Sequence, residues 1–189
     1  MNIPPNATRG GGAAVVVAHP GHEVRIHGWL ERERPRVFIL TDGSGRAGQP
    51  RIASTSRYLE KFGLRPAPLY GRFTDLEIYA ALLRRDYELF VSLSEELADA
   101  FVAEGISRVV GDASEGYNTT HDVCRLLTDA AVEMARRSES REVESYDYPV
   151  VRRPDHCHES RRAAAVWLHL DEETFGRKLA AAFEFYPEL

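Results

Sequence analysis

Histidines follow two segments of the chain that have the pattern of buried strands. His19 and His22 come directly after the apolar run at residues 13–18, and His121 follows the run at residues 106–110 and a polar loop. Ligands of open parallel sheets bind beyond the carboxyl ends of the strands, so these three imidazoles are expected to meet. Three protein ligands with one open position form a catalytic zinc site. The pattern therefore predicts Zn²⁺, or another divalent transition metal, at this place.

The same histidines have a plainer interpretation. Most His-x-x-His pairs bind no metal, and these side chains would then form a polar pocket in a metal-free α/β binding domain. The second strand end, with His121, is what favours a metal. Other candidate donors point to ordinary roles: an exposed loop at residues 156–158, a core thiol at Cys124, and packing or surface positions for His27 and His169.

The elements that must position the three histidines alternate along the chain. Strands are predicted at residues 13–18, 37–40, 68–70, 106–110, 142–151 and 166–170. Helices are predicted at residues 54–62, at residues 76–104 with a break, and where apolar stripes occur at Val123, Leu126, Leu127, Ala130, Ala131 and Met134 and at Phe175, Leu179, Ala182 and Phe183. This alternation predicts an α/β domain, a Rossmann-like three-layer sandwich with a mostly parallel sheet.

Length and composition narrow the class of protein. The 189 residues, 43% of them hydrophobic, predict a single domain over residues 13–189 after a loose, flexible tail at residues 1–12. A net charge of −5 argues against binding nucleic acid through its phosphates. Neither a run of about 18 apolar residues nor a secretory signal is evident, so no membrane partner is expected. Two cysteines cannot form a disulfide scaffold, so a reducing compartment, the cytoplasm, is expected. The expected partner is a small-molecule substrate, and the chain could also form homo-oligomers.

Three ordered motifs resemble the PIG-L/LmbE-like zinc-dependent deacetylases over residues 13 to about 135. Residues 18–23, Ala-His-Pro-Gly-His-Glu, resemble the family's Ala-His-Pro-Asp-Asp-Glu signature. Residues 41–43 match its Thr-Asp-Gly turn, and residues 115–121 fall where the family has His-Pro-Asp-His. The resemblance implies zinc held by His19, His22 and His121. It also implies hydrolysis of an amide C–N bond by a zinc-bound water, as in N-deacetylation of a small amino sugar, glycoside or related metabolite.

The chain departs from the family pattern at both usual acid/base positions. Gly21 stands where the family has its catalytic base, and Asn118 stands where it has a histidine. Asn118 can donate a hydrogen bond to an oxyanion but cannot transfer a proton. His22 replaces a carboxylate ligand, which makes the site more positive and lowers the pKa of a bound water. The losses favour an alternative, a non-catalytic or repurposed member that binds or senses a small ligand.

Several other side chains are candidates for the site. Substitute carboxylates for proton transfer are Glu23, Asp42, Asp112, Glu115 and Asp122. Asp42 either lines the pocket or forms an ordinary Asp-Gly turn. Arg51 and Arg72 flank the expected pocket loops, where they either bind substrate hydroxyls or an anion, or remain solvated surface residues.

Overall fold

The computed structural model describes residues 12–139 and 142–185 as an α/β fold with helices on both faces of one sheet. The strands are β1 (Gly12–Val17), β2 (Arg36–Thr41), β3 (Pro66–Phe73), β4 (Ile106–Asp112) and β5 (Glu144–Tyr148). The α-helices are α1 (His27–Glu33), α2 (Ile52–Glu60), α3 (Asp75–Arg84), α4 (Tyr87–Ala103), α5 (Thr119–Glu139) and α6 (Glu172–Phe185). Short 3₁₀ segments occupy His22–Ile26, Gly45–Ala47 and Glu159–Ala164.

All strand pairs of the sheet are parallel, in the order β3-β2-β1-β4-β5. The chain runs outward from β1 to β3 and then crosses back to add β4 on the other side of β1. The strand order therefore reverses between β1 and β4, and ligands of doubly wound sheets bind at such a point. This arrangement confirms the Rossmann-like three-layer sandwich predicted from the sequence.

The two faces of the sheet carry separate apolar cores. Ala14 and Val16 of β1 face the core under α3, α4 and α5, whereas Val15 and Val17 face the core under α1, α2 and α6. A strand that is apolar on both faces is typical of the centre of a parallel sheet. The break predicted within residues 76–104 lies between α3 and α4, where Arg85 has a positive φ of 57°.

The predicted ends of the domain fall partly outside the described residues. Of the predicted tail, only Gly12 is described, and it is the first residue of β1 rather than part of a tail. Residues 1–11 and 186–189 lie outside the described ranges. Among the helices that the structure describes, none combines the length and the apolar character needed to cross a bilayer.

The strand predicted at residues 166–170 is wrong, because this segment has no regular secondary structure. In the predicted pattern Val166 and Leu168 face the core, but they are 39% and 37% exposed while Trp167 between them is half-buried. Leu170 lies tightly against the Cα of Gly28 in α1, where a side chain would collide with it. The segment therefore packs on the helix layer instead of pairing with a strand.

Two predicted helical stripes are only partly buried. In α5, Val123, Leu127 and Ala131 belong to the core, but Leu126 is 67% exposed and Met134 is 37% exposed. In α6, Ala181 is the buried residue among the side chains that the structure describes, and the predicted stripe omitted it. Its predicted apolar residues Phe175, Leu179 and Phe183 are 49%, 42% and 72% exposed. Each helix thus has apolar side chains that remain exposed after it packs against the sheet.

A glycine at the centre of the sheet permits the close approach of β1 and β4. An added Cβ at Gly111 would lie 2.5 Å from the carbonyl oxygen of Val16, its register partner. We expect Gly111→Ala to lower the free energy of unfolding by about 2 kcal/mol, because backbone atoms would have to move. Gly176→Ala is the matched control. It lies in open space within α6 and should raise stability by about 1 kcal/mol.

Chemical denaturation of both variants, monitored by circular dichroism, measures this difference. Equal free energies of unfolding for Gly111→Ala and the wild type would contradict the tight β1–β4 contact.

Candidate functional site

The three predicted histidines meet at the carboxyl ends of β1 and β4. His19 lies two residues beyond β1, His22 begins the following 3₁₀ segment, and His121 lies in the first turn of α5. Their ring centres are 5.2 Å (His19–His22), 5.0 Å (His19–His121) and 4.6 Å (His22–His121) apart. The turn between the first two rings uses Gly21 at φ 98° and ψ −19°, a conformation that favours glycine.

Buried carboxylates hold two of these rings by the same nitrogen. Nδ1 of His19 is 2.9 Å from Oδ1 of Asp75 and 2.7 Å from Oγ1 of Thr41. Nδ1 of His22 is 2.8 Å from Oδ2 of Asp112. An ionised carboxylate can only accept a hydrogen bond, so each Nδ1 donates and each Nε2 keeps its lone pair when the ring is neutral. Carboxylate partners of this kind are usual for metal-binding histidines.

Both aspartates are held in the ionised form. Burial alone would raise the pKa of Asp75, but the hydrogen bond and charge of His19, with the Gly45 N–H group, hold it at about 2. Burial also opposes ionisation of Asp112, and the charge and hydrogen bond of His22 with the Ala18 N–H group outweigh it and lower its pKa. The two carboxylates are therefore acceptors at neutral pH, and each can orient its imidazole.

Two nitrogens of the cluster are buried without a partner. Among the described residues, Nε2 of His19 and Nδ1 of His121 have no hydrogen-bond partner. An unsatisfied buried polar group costs about 1–3 kcal/mol, so such atoms favour a ligand-binding role for these rings. Burial, and then the charges of His22 and His19, lower the pKa of His121 to about 4, which keeps this ring neutral at pH 7. A neutral imidazole is the form that binds a metal.

The three histidine rings lie close together, but their nitrogens are not arranged as in a metal-bound site. Within residues 12–139 and 142–185, no three His, Cys, Asp or Glu side chains are placed as a metal ion requires. The ring separations nevertheless match the donor set, because three imidazoles bound at about 2 Å to one tetrahedral zinc have centres roughly 5 Å apart. Edge-to-face packing of rings gives a similar distance. The unpartnered nitrogens, not the spacing, therefore carry the case for a metal.

Asn118 lies three residues before His121 and is held by contacts at the start of α5. Its Oδ1 accepts hydrogen bonds from the Thr120 N–H group at 2.8 Å and from the Tyr79 hydroxyl at 3.1 Å. Because these bonds engage the oxygen, the Nδ2 group of the amide is the part of the side chain that can donate further hydrogen bonds. The side-chain amide of Asn118 can thus donate a hydrogen bond to an oxyanion, but it cannot accept a proton as a base would.

Glu23 and Asp42, the other two proposed catalytic residues, hold loops in the structure. Glu23 is fully buried and accepts bonds from the Gly21 N–H group and the Thr55 hydroxyl, each at 2.9 Å. Burial raises its pKa. Oδ1 of Asp42 accepts from the Ser44 N–H group at 2.9 Å, as in an Asp-Gly turn. These contacts describe structural roles for both carboxylates.

The remaining candidate carboxylates are also engaged by the backbone or by the cluster. Glu115 accepts bonds from the N–H groups of Val150, Val151 and Arg152. Asp122 accepts from the N–H groups of Glu115 and Gly116 and from the Ser114 hydroxyl. Asp112 is the partner of His22. None of these three is placed as an evident substitute for the base that Gly21 lacks.

The two arginines proposed for substrate binding lie in different settings. Nε of Arg51 donates to the carbonyl oxygen of Gly43 at 2.9 Å, beside the loop that also contacts Asp75. Arg72 forms a two-pronged ion pair with Glu96 at 2.6 and 2.5 Å on the surface. Arg51 therefore lies near the cluster's supporting loop, whereas Arg72 is committed to α4.

The histidines and cysteines outside the cluster have the ordinary settings predicted from the sequence. Cys124 is buried in the core, and His27 is buried with Nδ1 2.8 Å from the Tyr58 hydroxyl. His156 and His158 are exposed. Asp75, which contacts Nδ1 of His19, is a residue of the candidate site that sequence analysis missed. Its position directly after β3, at another strand end, was the available signal.

Comparisons with known proteins support the fold. No protein-family model and no curated protein matches the chain. The crystal structure of the conserved protein TT1542 from Thermus thermophilus resembles it with a TM-score of 0.55. The alignment covers 94% of this chain and 80% of that chain at 17% sequence identity. At this identity the likeness shows the fold alone.

The lowered pKa of His121 predicts how the stability of the metal-free protein depends on pH. The unfolded chain, with a histidine pKa near 6.5, takes up this proton before the folded state, whose pKa is about 4. The free energy of unfolding should therefore fall as pH decreases from about 6.5 to 4. We expect His121→Gln to make the decrease in the free energy of unfolding about 2 kcal/mol smaller over this pH range. Urea denaturation at several pH values measures it.

The exposed His169 supplies the control, since His169→Gln should leave the pH dependence unchanged. A wild-type curve that coincides with the His121→Gln curve between pH 7 and 4 would contradict burial of a neutral imidazole.

Proposed function

We propose that this protein is a zinc-dependent hydrolase of an amide C–N bond, acting as an N-deacetylase on a small amino sugar, glycoside or related metabolite. The observation that carries the proposal is the histidine cluster, in which buried carboxylates hold two rings and two buried nitrogens have no partner in the described part of the chain. The location at the reversal of strand order supports it. The resemblance of residues 18–23 and 41–43 to the PIG-L/LmbE-like family supplies the reaction class.

The residues of the chain divide the work of holding the metal. His19 and His22 would bind through Nε2, since Nδ1 of each ring is committed to Asp75 or Asp112. His121 would complete the set as a neutral third ligand, with a modest adjustment of its unpartnered ring. This donor set favours Zn²⁺ or another divalent transition metal over Mg²⁺ or Ca²⁺, which prefer oxygen ligands.

Zinc in such a site polarises a carbonyl oxygen and lowers the pKa of a water at its open position. Asn118 Nδ2 would donate a hydrogen bond to the oxyanion that develops as the acyl group is attacked. The buried Asp112 and Asp75 keep the imidazoles from rotating. Cleavage would release acetate and a free amine. Because Gly21 has no side chain, proton transfer lacks the usual base, and hydrolysis should be slower by a factor of about 10²–10⁴.

A second candidate function is binding or sensing of a small ligand without turnover. The specific observation in its favour is that Glu23, Asp42 and Glu115, each considered as a substitute base, have carboxylate oxygens bound to backbone N–H groups or hydroxyls. For either function we propose a small-molecule partner. We propose the cytoplasm as its location, since Cys124 and Cys157 are both free thiols.

Zinc binding is tested on tag-free protein stripped of metal and titrated with Zn²⁺ against a chromophoric chelator. We expect one zinc per wild-type chain and loss of binding in His19→Ala and His121→Ala. His22→Asp should retain zinc, because a carboxylate also ligates it. Asp75→Asn, which leaves the ligands intact, should weaken affinity about 10- to 100-fold by removing the carboxylate partner of His19. His169→Ala is the control and should bind as the wild type does.

Failure of the wild-type protein to take up zinc while remaining folded would rule out this metal site and, with it, zinc-dependent hydrolysis. Zinc binding that survives His121→Ala unchanged would contradict the proposed ligand set.

A matched pair of substitutions at position 21 tests the missing base. Gly21→Asp and Gly21→Asn place side chains of equal size on a backbone that Asp and Asn tolerate better than most residues. Strain is thus matched, and only the carboxylate differs. We expect acetate release from N-acetyl amino sugars to be about 10²-fold faster for Gly21→Asp than for Gly21→Asn.

Equal rates for the two variants would show that a different group already transfers the proton. Zinc and sugar binding by the wild type with no acetate release, even in Gly21→Asp, would favour the ligand-binding function over hydrolysis.

A further inference from the structure

An apolar groove lies between α4 and α5, on the face of the sheet away from α6. Its volume is about 350 Å³. Both helices and the end of α3 contribute to its walls, which include Leu82, Tyr87, Phe90, Leu126, Ala130 and Met134. Tyr87 is 70% exposed and Leu126 is 67% exposed, so the groove opens to solvent. We call it the α4–α5 groove. Large exposed apolar surfaces of this kind mark interaction sites.

The opposite face of the molecule carries an apolar ridge on α6. Phe175, Leu179 and Phe183 are spaced four residues apart, so they form one line along the helix, and all three are exposed. We call these residues the α6 ridge. Side chains in this spacing are the anchors by which an amphipathic helix occupies an apolar groove.

The ridge and the groove of one molecule cannot meet each other. α6 is fixed to the layer of α1 by the Arg177–Glu31 ion pair and by the hydrogen bond from Lys178 to the carbonyl oxygen of Arg25. α4 and α5 belong to the core on the other side of the sheet. We propose that the α6 ridge of one molecule inserts into the α4–α5 groove of a second copy of this chain.

The lengths of the ridge and the groove, and the charges beside them, match for two copies of this chain. The ridge spans nine residues, a rise of about 12 Å, and the α5 wall from Val123 to Met134 rises about 16 Å. Arg85 is exposed where α3 ends beside the groove, while its neighbour Arg84 pairs with Asp86. Glu172 is exposed at the start of α6, while its neighbour Glu173 pairs with Arg177. Opposite charges thus place the start of the incoming α6 at the α3–α4 junction.

An interface of this kind joins two different patches. Each molecule in a pair still has one free ridge and one free groove, so association continues until a ring closes or a filament forms. The inference is independent of zinc and of hydrolysis, because neither patch contains a residue of the histidine cluster.

Single aspartate substitutions in each patch test the contact by analytical ultracentrifugation over a range of concentrations. We expect wild-type oligomers that dissociate on dilution. Leu126→Asp in the groove and Phe183→Asp on the ridge should each raise the dissociation constant at least tenfold. Leu76→Asp is the control, since Leu76 is 67% exposed on α3 but does not line the groove. All three sites are at the surface, and circular dichroism verifies folding.

Mixing the two defective variants distinguishes a ridge-to-groove contact from a symmetric one. Phe183→Asp retains an intact groove and Leu126→Asp retains an intact ridge, so an equimolar mixture should form heterodimers and stop there. A charge exchange adds a second readout: Arg85→Glu should weaken association, and Glu172→Arg in the same chain should restore it.

Three outcomes would overturn the proposal: a wild-type monomer up to about 1 mM, the weak limit of specific association; a mixture that stays monomeric; or equal dissociation in the Leu76→Asp control.

Discussion

The carboxylate of Asp112 joins the two central strands to the histidine cluster. One oxygen accepts bonds from the Ala18 N–H group, just beyond β1, and from Nδ1 of His22, at 2.8 Å each. A buried ionised carboxylate is unfavourable unless charged or polar groups satisfy it, so the end of β4 requires β1 and His22 to be where they are. Gly111, the residue before it, allows the strands to approach closely enough. The position of the site thus follows from how the ends of β1 and β4 hold one oxygen of a buried carboxylate.

Asp75 holds a second histidine in the same way, near the ends of β2 and β3. It starts α3 directly after β3, and it binds Nδ1 of His19, the Thr41 hydroxyl and the Gly45 N–H group. The ends of β2, β3 and β1 are thereby tied to one side chain. Two aspartates from different strand ends therefore set the orientation of two imidazoles, while His121, delivered by α5, is buried without a comparable partner.

Much of the fold could be predicted from the sequence, because short β-branched apolar runs such as residues 13–18 favour a strand buried on both faces. The meeting of His19, His22 and His121 followed from strand ends sharing one edge. Asp75 was missed because its partner, His19, lies 56 positions away in the chain. Helical periodicity identified apolar faces correctly but could not say how much of each face the sheet would cover, hence the exposed Leu126 and Phe183. The strand predicted at residues 166–170 failed because alternation alone does not specify a pairing partner.

The three N–H groups bound by Glu115 have a consequence for motion at the site. Glu115 lies in the loop that carries Asn118, and the segment it binds, Val150 to Arg152, is also held by Arg25 through the carbonyl oxygens of Val150 and Arg152. Neither loop can swing outward without breaking several charge-assisted bonds together. The two loops are therefore coupled, and we expect the amides of Val150, Val151 and Arg152 to exchange slowly with solvent although the side chains of Val151 and Arg152 are exposed.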